Sequence, residues 1–318
     1  MDVISAFGSV LNHHHLDSMH TPHRRTLPLF AAVLGLASLA PAHPLAPQGG
    51  TPPATITVTG VVRDFKERSV PGGHPDFEKR PAEGFGHYCK NVEEELAGGV
   101  PEYNSCGFKV TKQWKNSANK NICWLLYDDD LGDIRGDKDG GSPDGGFQSE
   151  STFNKLWKDD LNCNVSAPLT LTLQRQSNGL YVFDSNTDPQ YVSLGGFFPI
   201  DGQLFGNSAG TPVHNFHFTC VVRTTFVYDA DGPQTLPFRS DDSLWVFIDG
   251  RNVIDLGGVH PALEQEVQLN RLGLADGQTY SIDIYYAERH RPTSSLKITL
   301  PGIADPVPPV PTITAGYD

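Results

Sequence analysis

The chain has 318 residues, with 37 acidic and 24 basic side chains and a formal charge of −13. So acidic a surface disfavours phosphate backbones and anionic lipid, which excludes nucleic acid as an expected partner and suits cations or neutral glycans. Charged residues make up only 19% of the chain and aromatic residues 10%, a composition that supports a folded core rather than a disordered polymer.

In chain order, residues 1–42 read as a leader with a secretory signal peptide. Arg24 and Arg25 precede an uncharged run from Leu27 to Ala40, and Ala40-Pro41-Ala42 offers small residues where a signal peptidase cuts. The run is too short to span a bilayer and no second one approaches that length, so no membrane insertion is expected. Secretion to the extracellular space or cell surface is the expected location. Residues 43–53 form a flexible Gly/Pro/Thr spacer, residues 54–303 a single large domain, and residues 304–318 a Pro-rich tail of polyproline type.

Thr55 to Phe65 alternates and is rich in β-branched residues, which predicts a first strand. Residues 66–150 are mostly turn chemistry, a long loop-rich insertion with one helix expected near Val92 to Leu96. Ser151 to Trp157 reads as a short helix capped by Ser151. Strand patterns dominate beyond it: Leu169–Gln174, Leu180–Phe183, Phe216–Tyr228, Leu244–Ile248, Val253–Leu256, Val267–Leu269, Tyr280–Ala287 and Leu296–Leu300. Leu244–Ile248 is continuously apolar, as in a strand covered on both faces. Many short strands and few helices predict an all-β fold, a β-sandwich or jelly roll carrying the insertion after its first strand.

Five cysteines follow the leader. In an oxidising compartment four would pair, and two disulfides are expected among Cys89, Cys106, Cys123 and Cys163, with Cys220 a buried free thiol.

From Gly195 onward the chain resembles the fibro-slime family, a branch of the β-sandwich superfamily named for the N-terminal module of anthrax protective antigen. The resemblance is carried in order by Phe197-Phe-Pro-Ile-Asp-Gly202, Asn215-Phe-His-Phe-Thr219, Ser240-Asp-Asp-Ser-Leu-Trp-Val-Phe-Ile-Asp-Gly250, Asp255-Leu-Gly-Gly-Val-His260 and Ala287-Glu-Arg-His290 followed by Ser294-Ser-Leu-Lys-Ile-Thr299. Thr59–Phe65 and His74–Phe77 resemble its opening strand and the loop after it. The resemblance implies an extracellular or cell-surface module. Related sandwich lectins hold calcium through two successive aspartates joined by a cis peptide, and the ion holds the sugar. Asp241 and Asp242 stand at that position. The family tends towards three successive acids there, whereas this chain has Ser243 third.

Calcium is thus the expected cofactor, with Asp241 and Asp242 as ligands and Asn252 and Asp255 as the nearest further candidates. Without the resemblance, the same doublet is an ordinary polar turn before a buried strand. A second acidic stretch, Asp128 to Asp133 with Asp137, Asp139 and Asp144, lacks the spacing of a helix-flanked calcium loop and reads as a solvated loop. His260, Glu288, Arg289 and His290 contain acid–base elements, but there is no nucleophile elbow and no H-E-x-x-H pair. Trp114, Trp124, Trp157 and Tyr191 are candidates for a sugar-stacking platform, and Trp245 is expected in the core. The leading function is calcium-associated adhesion to a glycan or polysaccharide surface. The alternatives are a structural matrix or envelope protein in which calcium only stabilises a loop, and a polysaccharide-active hydrolase.

Overall fold

A computed structural model describes residues 51–139 and 146–303, so the expected leader and the Pro-rich tail from 304 lie outside the described residues. The strands are β1 (Thr55–Phe65), β2 (Gly86–Cys89), β3 (Phe108–Lys112), β4 (Asp137–Lys138), β5 (Asn164–Arg175), β6 (Tyr181–Asp184), β7 (Phe218–Val227), β8 (Thr235–Asp241), β9 (Ser243–Ile248), β10 (Arg251–Val259), β11 (Leu263–Gln268), β12 (Thr279–Glu288) and β13 (Ser295–Leu300). They pair antiparallel in one sheet of 13 strands, ordered β11-β8-β13-β6-β5-β1-β7-β12-β9-β10-β2-β3-β4. The fold is all-β, as expected, and the sheet curls until β10 touches β11 without pairing to it.

Side-chain alternation sets what each face covers. Leu244, Val246 and Ile248 of β9 join Phe218, Cys220, Val222 and Phe226 of β7, Ile282, Ile284 and Tyr286 of β12, and Leu296 and Ile298 of β13 in the main core. Trp245 and Phe247 point the other way, into a second cluster with Tyr285, Phe77, Phe147, Phe153, Leu156 and Trp157. The insertion therefore covers the outer face of β7, β12 and β9, which accounts for an unbroken apolar strand at β9. Close approach needs glycine at Gly60, where a Cβ would stand 2.2 Å from the Val221 carbonyl oxygen of the neighbouring strand. The β9–β10 hairpin turns on Asp249 and Gly250, both at positive φ (50° and 78°), the requirement of a two-residue type I′ turn.

Four local expectations are corrected. No helix forms at Val92 to Leu96; Val92 instead bridges to Tyr103 within the insertion and Glu95 to Arg251 at the start of β10, whose backbone also bonds the Glu94 carbonyl. The short helix α1 runs Glu150–Phe153 and is capped by Ser149, not Ser151: Ser149 and Thr152 exchange the reciprocal hydrogen bonds of a capping box. Strand β8 had no counterpart in the strand reading. It contains Pro237 and Arg239 at half-buried positions and borders β11 and β13.

The fourth concerns the cysteines. All five are free, including the four expected to pair. Cys89 lies in β2, Cys123 in the main core, Cys163 in the second cluster and Cys106 on a half-buried loop beside the Tyr103 hydroxyl. They serve separate cores rather than staple one loop. Cys220 is buried in the main core.

Candidate functional site

Asp241 ends β8 and Ser243 begins β9, so Asp242 is the single residue between two strands that lie in different parts of the sheet. The Asp241–Asp242 peptide is cis, the geometry the resemblance implied. Asp241 is 6% exposed and Asp242 1%. Two chain segments converge on them. From the end of β12 and the loop after it, the Arg289 N–H donates to Asp242 Oδ2 (3.2 Å) and the Thr293 hydroxyl to Asp241 Oδ2 (2.7 Å). From the end of β10, the His260 N–H donates to Asp242 Oδ1 (3.0 Å). The Tyr286 hydroxyl lies 2.5 Å from the Asp241 carbonyl oxygen, 2.8 Å from Glu288 Oε2 and 3.0 Å from Ser294 Oγ.

Glu288 is fully buried and its Oε1 has no partner among the described residues. Three carboxylates are thus gathered in one water-poor place, and burial is the chief reason that each resists ionising. Asp241 is pushed up to about 6. Asp242 is raised well above the carboxylate range by burial and then by the charge of Asp241, and Glu288 by burial and then by Asp242 and Asp241. Buried Arg289 opposes them, yet its Nε and Nη2 atoms lack hydrogen-bond acceptors among the described residues, and its guanidinium rests 4.1 Å over the Phe147 ring while Nη1 donates to the Gly146 carbonyl. At the edge of the same region, Phe85 is 43% exposed and packs edge-on against His290 with centroids 4.7 Å apart.

The donor chemistry fits a hard divalent cation. Calcium takes six to eight oxygens and tolerates carboxylates that also accept hydrogen bonds. Asp241 Oδ1, the remaining lone pairs on Asp242 and Glu288 Oε1 are all of that kind, and a cation would relieve the charge that burial penalises; in this structure, however, the ligand atoms of the three do not all lie within 4.8 Å of one another.

The other two expected ligands are not brought to this place. Asn252 pairs with Phe247, five residues along β9 from Asp242, a separation of roughly 16 Å at the rise of a strand. Its side-chain oxygen and nitrogen are both buried without partners among the described residues. Asp255 is buried and saturated: Oδ1 accepts from Trp245 Nε1 (3.0 Å), and Oδ2 from Trp124 Nε1 and the Lys90 N–H (2.9 Å each). It serves as a hydrogen-bond hub between β9, β10 and the insertion. Glu288, considered in the sequence only as an acid–base element, is the carboxylate that joins the aspartates. The signal that finds it is strand period: Glu288 lies on the face of β12 that carries Tyr286.

Among the described residues, the grouping whose ligand atoms lie within 4.8 Å of one another is a different one, Glu67, Glu78 and His217. Its acceptors are already taken. Arg291 Nη2 meets Glu67 Oε2 at 2.6 Å, Arg291 Nε and His217 Nε2 meet Glu78 Oε1 at 3.1 and 3.0 Å, and His290 Nε2 meets Glu78 Oε2 at 3.3 Å. An ion-pair network clamps the loop after β1 to the loop after β12. The acidic loop likewise satisfies itself, since Asp128 caps the Asp130 N–H and Asp133 is bidentate to Arg271; Asp144 lies outside the described residues. Of the aromatic candidates, Trp157 and Tyr191 are buried and Trp124 is held between Asp255 and the Lys90 ammonium. Trp245 is in the second core, as expected.

Fold and site together define a β-rich module with an acidic junction at its rim. Residues 178–310 match the PA14 domain, a β-rich module of carbohydrate-binding type, and the match includes Asp241, Asp242 and Glu288. Three curated proteins of Dictyostelium discoideum are similar to this chain. Protein psiD is 38% identical over 156 residues (47% of this chain, 29% of that protein), and protein psiG 41% identical over 147 residues (43% and 19%). Protein psiH is 34% identical over 261 residues (77% and 30%), so its similarity extends into the insertion. The chain spans less than a third of the length of these relatives. Among solved structures, a β-glucosidase from Kluyveromyces marxianus in complex with glucose aligns over 28% of this chain and 11% of its own, at 15% identity and a TM-score of 0.21, too little to carry an argument. No helix among the described residues is long and apolar enough to cross a membrane.

Proposed function

We propose that this chain is a secreted, fibro-slime-type binding module that adheres to glycan through calcium held at the Asp241–Asp242 junction. The observation that carries the reading is the convergence of Asp241, Asp242 and Glu288 at one rim of the sheet, with Glu288 Oε1 lacking a hydrogen-bond partner among the described residues. When bound, calcium would supply open coordination positions for a pair of sugar hydroxyls. The chain's own part is to hold the carboxylates: the N–H groups of His260 and Arg289 fix Asp242, and Thr293 fixes Asp241. Exposed Phe85, braced by His290, offers a flat apolar face beside them on which a sugar ring can stack. Binding rather than catalysis is the better reading, because Glu288 is fully enclosed and hydrogen-bonded to Tyr286 rather than open to a substrate.

One observation favours the structural alternative. Asp242 is 1% exposed and both its oxygens already accept backbone N–H groups, as in a site where a cation ties strands together without touching ligand. A glycan array probed with and without chelator, alongside melting curves under the same two conditions, separates these readings. Chelator-sensitive retention on the array supports adhesion. Chelator-sensitive melting with no retained glycan supports the structural role.

A further inference from the structure

A cavity of about 320 Å³ lies away from the aspartate junction, between the loop Val100–Tyr103 and the segment that begins at α1. Its lining is built by the insertion and the short helical segment that follows it, and lies outside the stretch that matches the PA14 domain. Half-buried Tyr103 supplies the accessible aromatic wall and buried Trp157 the floor; Glu102, Glu150, Asn154 and Lys158 supply polar groups. The Trp157 ring is fixed from behind, edge-on to Tyr285 (5.4 Å between centroids) and Trp245 (6.0 Å). Its indole N–H is buried and has no acceptor among the described residues.

We infer that this cavity is a second saccharide subsite, one that works without metal. The volume is at the small end of ligand sites, the size for a sugar unit rather than a long chain. The polar set is mixed: Lys158, the Asn154 amide and the indole donate, while Glu102 and Glu150 accept. Sugar hydroxyls are donors and acceptors at once, so they satisfy both kinds. A phosphate-bearing ligand would meet two carboxylates, and a purely apolar one would strand the polar groups. The aromatic wall provides the apolar contact that the face of a pyranose requires. Saccharide is also the ligand class proposed for the aspartate junction, but neither calcium nor Asp241 enters this inference.

The test is a titration of the full chain, in EDTA, with the methyl glycosides of glucose, galactose, mannose and N-acetylglucosamine and with cellobiose. At least one is expected to bind. Glu102→Ala, a substitution at an exposed position, and Asn154→Ala should each weaken binding about tenfold, as expected for loss of a hydrogen bond to or from a charged or oriented group. Trp157→Phe should weaken it further while preserving ring packing; if that variant fails to fold, the two rim variants decide. Asp241→Asn should leave binding in EDTA unchanged. Absence of binding by every probe in EDTA overturns the inference, as does binding that survives the Glu102→Ala and Asn154→Ala double variant. Binding seen only with calcium, and lost in Asp241→Asn, supports the function proposed above and overturns this subsite.

Discussion

The indole N–H of Trp245 donates to Asp255 Oδ1 at 3.0 Å across a single rung of the β9–β10 ladder. That bond carries an acid into the second core and turns a candidate metal ligand into a structural hub. Trp124 and the Lys90 backbone complete its shell.

Asp255→Ala should therefore destabilise the fold by about 2–4 kcal/mol, because it strands the buried Trp245 indole N–H and removes the acceptor of two half-buried donors, on Trp124 and Lys90. Urea unfolding checks this. The calcium response of the same variant should match the wild type, since Asp255 does not reach the aspartate junction.

Asp64 makes a distinct pH signature. It is fully buried, accepts from Asn215 Nδ2 (2.8 Å) and the Phe205 N–H (2.7 Å), and burial pushes its carboxyl up to about 6. In the unfolded chain it ionises near 4, so between about 4 and 6 the native state holds the extra proton. Its contribution to stability is then fully present below about 4, falls as pH rises, and is lost above about 6, by about 3 kcal/mol at most. Acids such as Glu67, Glu78 and Asp133, lowered by hydrogen bonds and ion pairs that outweigh their burial, slope the other way. Subtracting the Asp64→Asn stability profile from the wild-type profile should isolate a decline across pH 4–6. A flat difference would show that Asp64 titrates as in the unfolded chain.

Cysteine reactivity should follow exposure. Cys106 is half-buried, whereas Cys89, Cys123, Cys163 and Cys220 are buried, with thiols that burial pushes up: Cys89 to about 12, Cys163 to about 11, and the other two well above the ordinary value. Thiolate is the reactive form. Timed alkylation of the native protein followed by mass mapping should label Cys106 first and all five only after denaturation. A bridged pair in that map would contradict the free thiols of this structure.

Most strands were legible because period-two burial is written in the residues themselves. Phe218, Cys220 and Val222 share a face whatever the tertiary context, and the unbroken Leu244–Ile248 run correctly implied cover on both sides. Strand β8 was hidden by Pro237, whose missing N–H argues against a strand until a partner register is known. The aspartate doublet could be found only through resemblance, since two acids before a strand are commonplace. Glu288 and Thr293 were not legible as its companions, because the β12–β13 connection that brings them there lies some fifty residues further along the chain. Asn252 and Asp255 misled through nearness in sequence: β10 runs antiparallel to β9, so residues just past the hairpin face the wrong end of the strand.

Calcium titration by calorimetry into chelator-treated full chain, wild type beside Asp241→Asn and Asp242→Asn, bears most directly on the proposed function. The wild type should bind one ion with a dissociation constant on the order of 10⁻⁴–10⁻³ M, as in extracellular modules. At a hundredfold excess over that constant, the ion should add about 2.7 kcal/mol to stability. Both variants should lose the isotherm and the added stability together. An unchanged isotherm in both variants would contradict the site, and the absence of any calcium binding to the wild type would contradict the claim itself.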